Sequence, residues 1–143
     1  MTAEKPGRTS DDGNATLAGL ELSVDLSMDE LIRGLKHYRR IARQDLLQAN
    51  AVEDGADLKA HAEARREVYT HLAETAAAEP ATEVLREALR LYQELPFVTG
   101  TPDGEFVREK GRENALENFF VMVNLAPRIR RTVRSTRSRP AGG

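Results

Sequence analysis

The sequence predicts an all-α fold: a small bundle of about four helices built on a long antiparallel helical hairpin, with flexible N- and C-terminal tails. Three observations predict it. Two stretches between Ser27 and Glu79 carry apolar residues at helical spacing, one Gly-containing break joins them, and a third periodic run closes on a proline.

The first helix opens at Ser27-Met28-Asp29-Glu30, where a Ser three residues before a Glu can satisfy orphan N–H groups reciprocally. Met28, Ile32, Leu35, Ala42, Leu46 and Ala49 then mark a core-seeking face, interrupted by Arg39. The pattern runs out at Val52-Glu53-Asp54-Gly55, where Gly55 is expected to take the left-handed conformation and Asp54 or Asp57 to cap the next helix. The returning helix repeats the spacing at Leu58, Ala62, Tyr69, Leu72 and Ala76, with Arg65 inside the stripe. Leu35, Leu46, Tyr69 and Leu72 are the expected packing or oligomer seam.

Pro80 suits the first turn of a third helix, which carries Val84, Leu85, Ala88, Leu89, Tyr92 and Leu95 and stops at Pro96. Thr101-Pro102-Asp103-Gly104 reads as a tight turn. A terminal helix is expected near 113–126, with Gly111 as a break before it and Pro127 as its end. Two segments carry a minor β signal. Phe119 to Val123 is β-prone taken alone, and Leu20, Leu22, Val24 and Leu26 alternate, so a short extended stretch at 20–26 is the alternative there.

The domain plan is therefore a flexible segment at 1–26, one helical domain at 27–126 and a basic arm at 127–143. An apolar fraction of 40% suits one helical core beneath a charged surface. No apolar run approaches the roughly 20 residues that span a bilayer, and no secretory leader is evident, so a cytoplasmic protein is expected. The absence of Cys excludes disulfides and thiol chemistry. Arg outnumbers Lys 17 to 4 beside many Ala, as a GC-rich bacterial coding sequence would give.

Charge is unevenly spread. Arg128, Arg130, Arg131, Arg134, Arg137 and Arg139 occupy the last 16 residues without an acid, while residues 1–127 hold 15 basic against 23 acidic side chains. Such an arm has two readings: a solubilising end that folds onto the molecule's own acidic face, or a contact for nucleic acid or another polyanion.

Catalytic and metal signatures are lacking. His61 and His71 lie about 80° apart on the helical wheel and two to three turns distant, so one ion could not bridge them. No phosphate loop or nucleophile elbow occurs, and a helix-turn-helix over Gly104 to Val123 would present Glu113 and Glu117 to phosphate. Arg39 and Arg65 stand where the stripe calls for apolar residues, so each needs a partner, with Asp45 or Glu53 facing Arg65, or else they line a groove for an anionic ligand. The functional expectation is a non-catalytic protein-interaction or assembly module, such as a homodimer, without a cofactor. Nucleic-acid association through the arm is the alternative, and an enzyme or metal protein without a recognisable motif comes third.

Overall fold

The computed structural model describes Leu17, residues 19–97 and residues 104–137. Residues 1–16, the expected turn at Thr101 to Asp103 and Arg139 lie outside them. Among the described residues the structure is all-helical, with no strand and with five α-helices: α1 (Met28–Asn50), α2 (Ala56–Ala78), α3 (Ala81–Glu94), α4 (Val107–Met122) and α5 (Pro127–Arg134). A 3-10 turn, Gly104–Phe106, leads into α4.

Helix α1 starts as its local sequence dictates. The Ser27 hydroxyl accepts from the Glu30 N–H at 3.1 Å, and the Glu30 carboxylate accepts from the Ser27 N–H at 3.0 Å. The turn to α2 departs from expectation. Asp54 takes the left-handed conformation, φ 60°, while Gly55 sits at φ −85° as the α2 N-cap without a side-chain cap. Gly55 is needed for closeness instead, because a Cβ there would collide with the Ala49 carbonyl oxygen. Leu58, placed in the stripe by its spacing, is 60% exposed, since the helix has only just left the turn and nothing overlies it.

Helix α2 is the centre of the bundle-like packing, with α1 on one side and α4 on the other. Its buried residues, Ala62, Ala64, Val68, Tyr69, Leu72 and Ala76, span a wide arc because two neighbours cover it. The α4 contact is close at Gly111, where a Cβ would stand 2.6 Å from the His61 carbonyl oxygen and 3.0 Å from the Ala64 Cβ. Gly111 is thus no break. Helix α4 runs through it, starting six residues before the expected position of 113 and absorbing the β-prone Phe119–Met122. It ends four residues before 126 in a Schellman motif: Asn124 adopts φ 58°, its N–H bonds the Val121 carbonyl at 3.0 Å, and the Leu125 N–H bonds the Phe120 carbonyl at 2.9 Å.

One core cluster joins Leu31, Leu35, Tyr69 and Leu72 to Leu85, Leu89 and Tyr92 of α3 and to Leu116, Phe119 and Phe120 of α4. Leu20, Leu22, Val24 and Leu26 pack against it while Glu21, Ser23 and Asp25 are exposed. The alternation therefore reflects a chain laid on helices, with no partner strand among the described residues.

Candidate functional site

The sequence-derived seam lies inside the molecule. Leu35 and Leu72 are fully buried and Tyr69 nearly so, with the Tyr69 ring stacked on Tyr38 of α1 at 5.4 Å; Leu46 is half-buried and outside the cluster. Helices α3 and α4 share this core, so the stripe is covered within the chain.

Arg65 is 14% exposed and donates to the Asp45 carboxylate across α1 and α2 at 2.9 Å. Its Nε also donates to His61 Nδ1 at 3.2 Å, which places the His61 proton on Nε2. Burial, and then the Arg65 charge, hold His61 below the ordinary imidazole value of 6.5. Arg39 is half-buried and forms no ion pair among the described residues. Of the two stripe arginines, Arg65 is thus paired across the helices and Arg39 is not paired among the described residues.

The arginine arm divides. Ile129 and Val133, four apart on α5, are buried against the core. Arg137 follows them in: its side chain is fully covered, with Nε donating to the Tyr92 carbonyl at 2.8 Å and Nη1 to Glu113 at 2.8 Å. Its guanidinium lies 4.1 Å from the Tyr92 ring centroid, and its Nη2 has no hydrogen-bond partner among the described residues. Arg134 shares Glu113 at 3.3 Å and covers the Phe97 ring at 5.0 Å. Arg130 approaches Glu117 at 3.8 Å, while the Tyr92 hydroxyl donates to Glu117 at 2.8 Å. Burial, and then that bond to a carboxylate, push Tyr92 well above the ordinary phenol value. Only Arg128 and Arg131 of the described arm are exposed without an ion pair.

A second charged set joins α2 to α3. His71 Nε2 and Glu87 are 2.6 Å apart, and Arg90 grips the same carboxylate at 2.8 Å while reaching Glu94 at 2.6 Å. The Arg90 hydrogen bond, with a contribution from His71, holds Glu87 down at about 2. This set borders a groove of about 480 Å³ with an apolar floor of Val68, Leu91, Leu95 and Leu116. Among the described residues no three His, Asp or Glu side chains converge as a metal site would require. Among the described residues no helix is long and apolar enough to cross a membrane.

Two exposed features escaped the sequence reading. Leu47, Val52 and Leu58 are 59%, 53% and 60% exposed in the last turn of α1, the connecting turn and the first turn of α2, so one end of the helix pair carries an apolar tip. The second is the outer face of α1. Residues 31–44 hold Arg33, Lys36, Arg39, Arg40 and Arg43 and no acid. Arg33, Lys36, Arg40 and Arg43 repeat at 3,4,3 spacing and are all exposed, and none forms an ion pair among the described residues. The signal was present in the sequence, but the acidic sum over residues 1–127 concealed it. The chain matches no protein-family model, and comparison with curated proteins and with solved structures gives no match.

Proposed function

We propose that the protein is a non-catalytic helical assembly module: α1 and α2 form an antiparallel hairpin whose apolar tip binds protein, a second copy of the chain being the first partner to test. The observation that carries this reading is the exposure of Leu47, Val52 and Leu58 together at the turn while the seam around Leu35, Tyr69 and Leu72 is already covered from within. A tip of this kind is self-complementary under two-fold symmetry, where the same patch faces itself. In this reading the protein works in the cytoplasm of a bacterium without a cofactor, by binding and not by bond chemistry. Sedimentation velocity over a range of concentrations tests it. The full chain is expected to shift from monomer to dimer, and a Leu47→Glu/Leu58→Glu variant with unchanged circular dichroism is expected to stay monomeric. A chain that is monomeric throughout and indifferent to the double substitution overturns self-association.

A second reading, nucleic-acid contact through the C-terminal arm, is supported by Arg128 and Arg131, which stand three apart and exposed on α5. It is narrower than the sequence suggested, since Arg130, Arg134 and Arg137 are engaged by Glu113 and Glu117.

A further inference from the structure

The outer face of α1 is a row of cations with no carboxylate paired to it among the described residues. At 100° per residue, Arg33, Lys36, Arg40 and Arg43 fall within about 80° of arc, and the row is about 15 Å long. Leu31, Leu35, Ala42 and Ala49 occupy the opposite side and are buried, so the row faces directly outward. Elsewhere on the body five guanidiniums find carboxylates, Arg65 with Asp45, Arg86 with Glu83, Arg90 with Glu87, Arg108 with Glu67 and Arg112 with Glu67, while Arg39 and Arg66 form no ion pair among the described residues. Along the row, among the described residues, there are no such pairs. Asp29 and Glu30 precede it in the first turn, Asp45 is turned to Arg65, and the next acid, Glu53, lies beyond the end of the helix. Neighbouring like charges at i,i+3 and i,i+4 repel, so the row disfavours its own helix and is relieved by an external anion.

We propose that this face of α1 is a binding surface for the phosphate backbone of duplex nucleic acid. Charge complementarity selects a polyanion, and the form of the surface selects among polyanions. An anionic bilayer is held by helices that also sink an apolar face below the headgroups. Leu31, Leu35, Ala42 and Ala49 of α1 are buried, and the large aliphatic residues the helix exposes, Ile41 at 37% beside the row and Leu47 at 59% one turn beyond Arg43, are too few for firm insertion. A helix about 10–12 Å across, presenting a cationic side outward, fits a major groove about 12 Å wide with phosphates on both rims. The contact is electrostatic and independent of sequence, since the face offers a row of point charges and no fixed pair of side chains for a base edge. The row adjoins the apolar tip at Leu47, one turn beyond Arg43, but binding along it does not depend on self-association.

The test is fluorescence anisotropy of a labelled 20-base-pair duplex titrated with the full chain across a salt series. Binding is expected to weaken with a log–log slope of about −3 to −4, as about 0.9 per neutralised phosphate gives for four cations. Arg33→Gln/Lys36→Gln/Arg40→Gln/Arg43→Gln is expected to lose affinity about tenfold or more at low salt and most of the slope, with helicity retained because all four side chains are exposed. Arg40→Gln alone is expected to lower the slope by about one, which keeps the proposal testable should the fourfold variant not fold. An Arg128→Gln/Arg131→Gln variant separates the two helices. If it abolishes binding while the fourfold variant binds as the parent does, the site is the arm and the proposal fails. It fails equally if the chain binds phosphatidylserine vesicles but not the duplex, or binds neither at 50 mM salt.

Discussion

Helices α1 and α5 are both rich in arginine, and the structure uses them in opposite ways. On α5 Arg130 and Arg134 pair with Glu117 and Glu113 while Arg128 and Arg131 stay exposed, and just beyond the helix Arg137 is covered and shares Glu113 with Arg134. On α1 the apolar stripe and the cations occupy opposite sides of the wheel, so Arg33, Lys36, Arg40 and Arg43 stay outside and, among the described residues, unpaired. The number of positive charges does not decide which helix is available to an anion. What decides it is the phase of the charges relative to the apolar positions, together with the acids that folding brings alongside.

The largest expected effect follows from the buried half of that contrast. Removing Glu113 leaves the Arg137 guanidinium covered without its counter-charge, and breaking such a pair from one side costs about 3–5 kcal/mol. Glu113→Ala should therefore show a large loss in urea unfolding. Arg137→Met keeps an unbranched side chain against Tyr92 while removing the charge, and should lose much less, because no orphaned ion remains. Equal losses from the two variants, or a loss below about 1 kcal/mol from Glu113→Ala, would mean that α5 is held by Ile129 and Val133 alone and that its arginines are as free as those of α1.

How far the sequence could be read follows the distance over which each feature is decided. The Ser27–Glu30 capping box is settled within three residues, and the structure contains it as the sequence has it. The helices themselves were legible for the same reason, since their periodicity is local. Gly111 was misread as a break because its significance lies in the His61 carbonyl on another helix. The burial of Arg137 depends on Glu113 and Tyr92, which are 24 and 45 residues away, and nothing near it in the chain announces them. Leu58 was misplaced for the converse reason: its spacing was right, but no partner helix reaches that far toward the turn. The α1 row needed no tertiary knowledge at all, only charges counted by helical face instead of by segment.

A smaller effect separates paired from unpaired charge by pH. Glu87 is held at about 2, against an ordinary value of 4.5, first by Arg90 and also by His71. A carboxylate depressed in the folded state favours folding above its unfolded value, and that contribution is lost as pH falls from about 4.5 to about 2. Glu87→Gln should accordingly lower the melting temperature at pH 7 and converge with the parent near pH 2, giving a shallower acid limb. Parallel curves for parent and variant would place Glu87 among solvated charges that do no structural work.

The smallest effect runs the other way in sign, and it probes the exposed row directly. Arg40 has Lys36 four residues before it and Arg43 three residues after it, both at contact spacing on the helix surface. Arg40→Glu converts two repulsive neighbours into two attractive ones, each worth about 0.2–0.5 kcal/mol, so the variant should be slightly more stable than the parent at low salt. The gain should shrink as salt rises, because these charges lie in water and are screened over about 10 Å at 0.1 M. The same substitution places a carboxylate in the middle of the surface assigned to phosphate and should reduce duplex binding more than Arg40→Gln does. Higher stability coupled to weaker binding would identify the row as an arrangement set against the helix's own preference and matched to an anionic partner. A variant that loses stability would show instead that Arg40 has a partner in solution, and the contrast between α1 and α5 would then be one of degree.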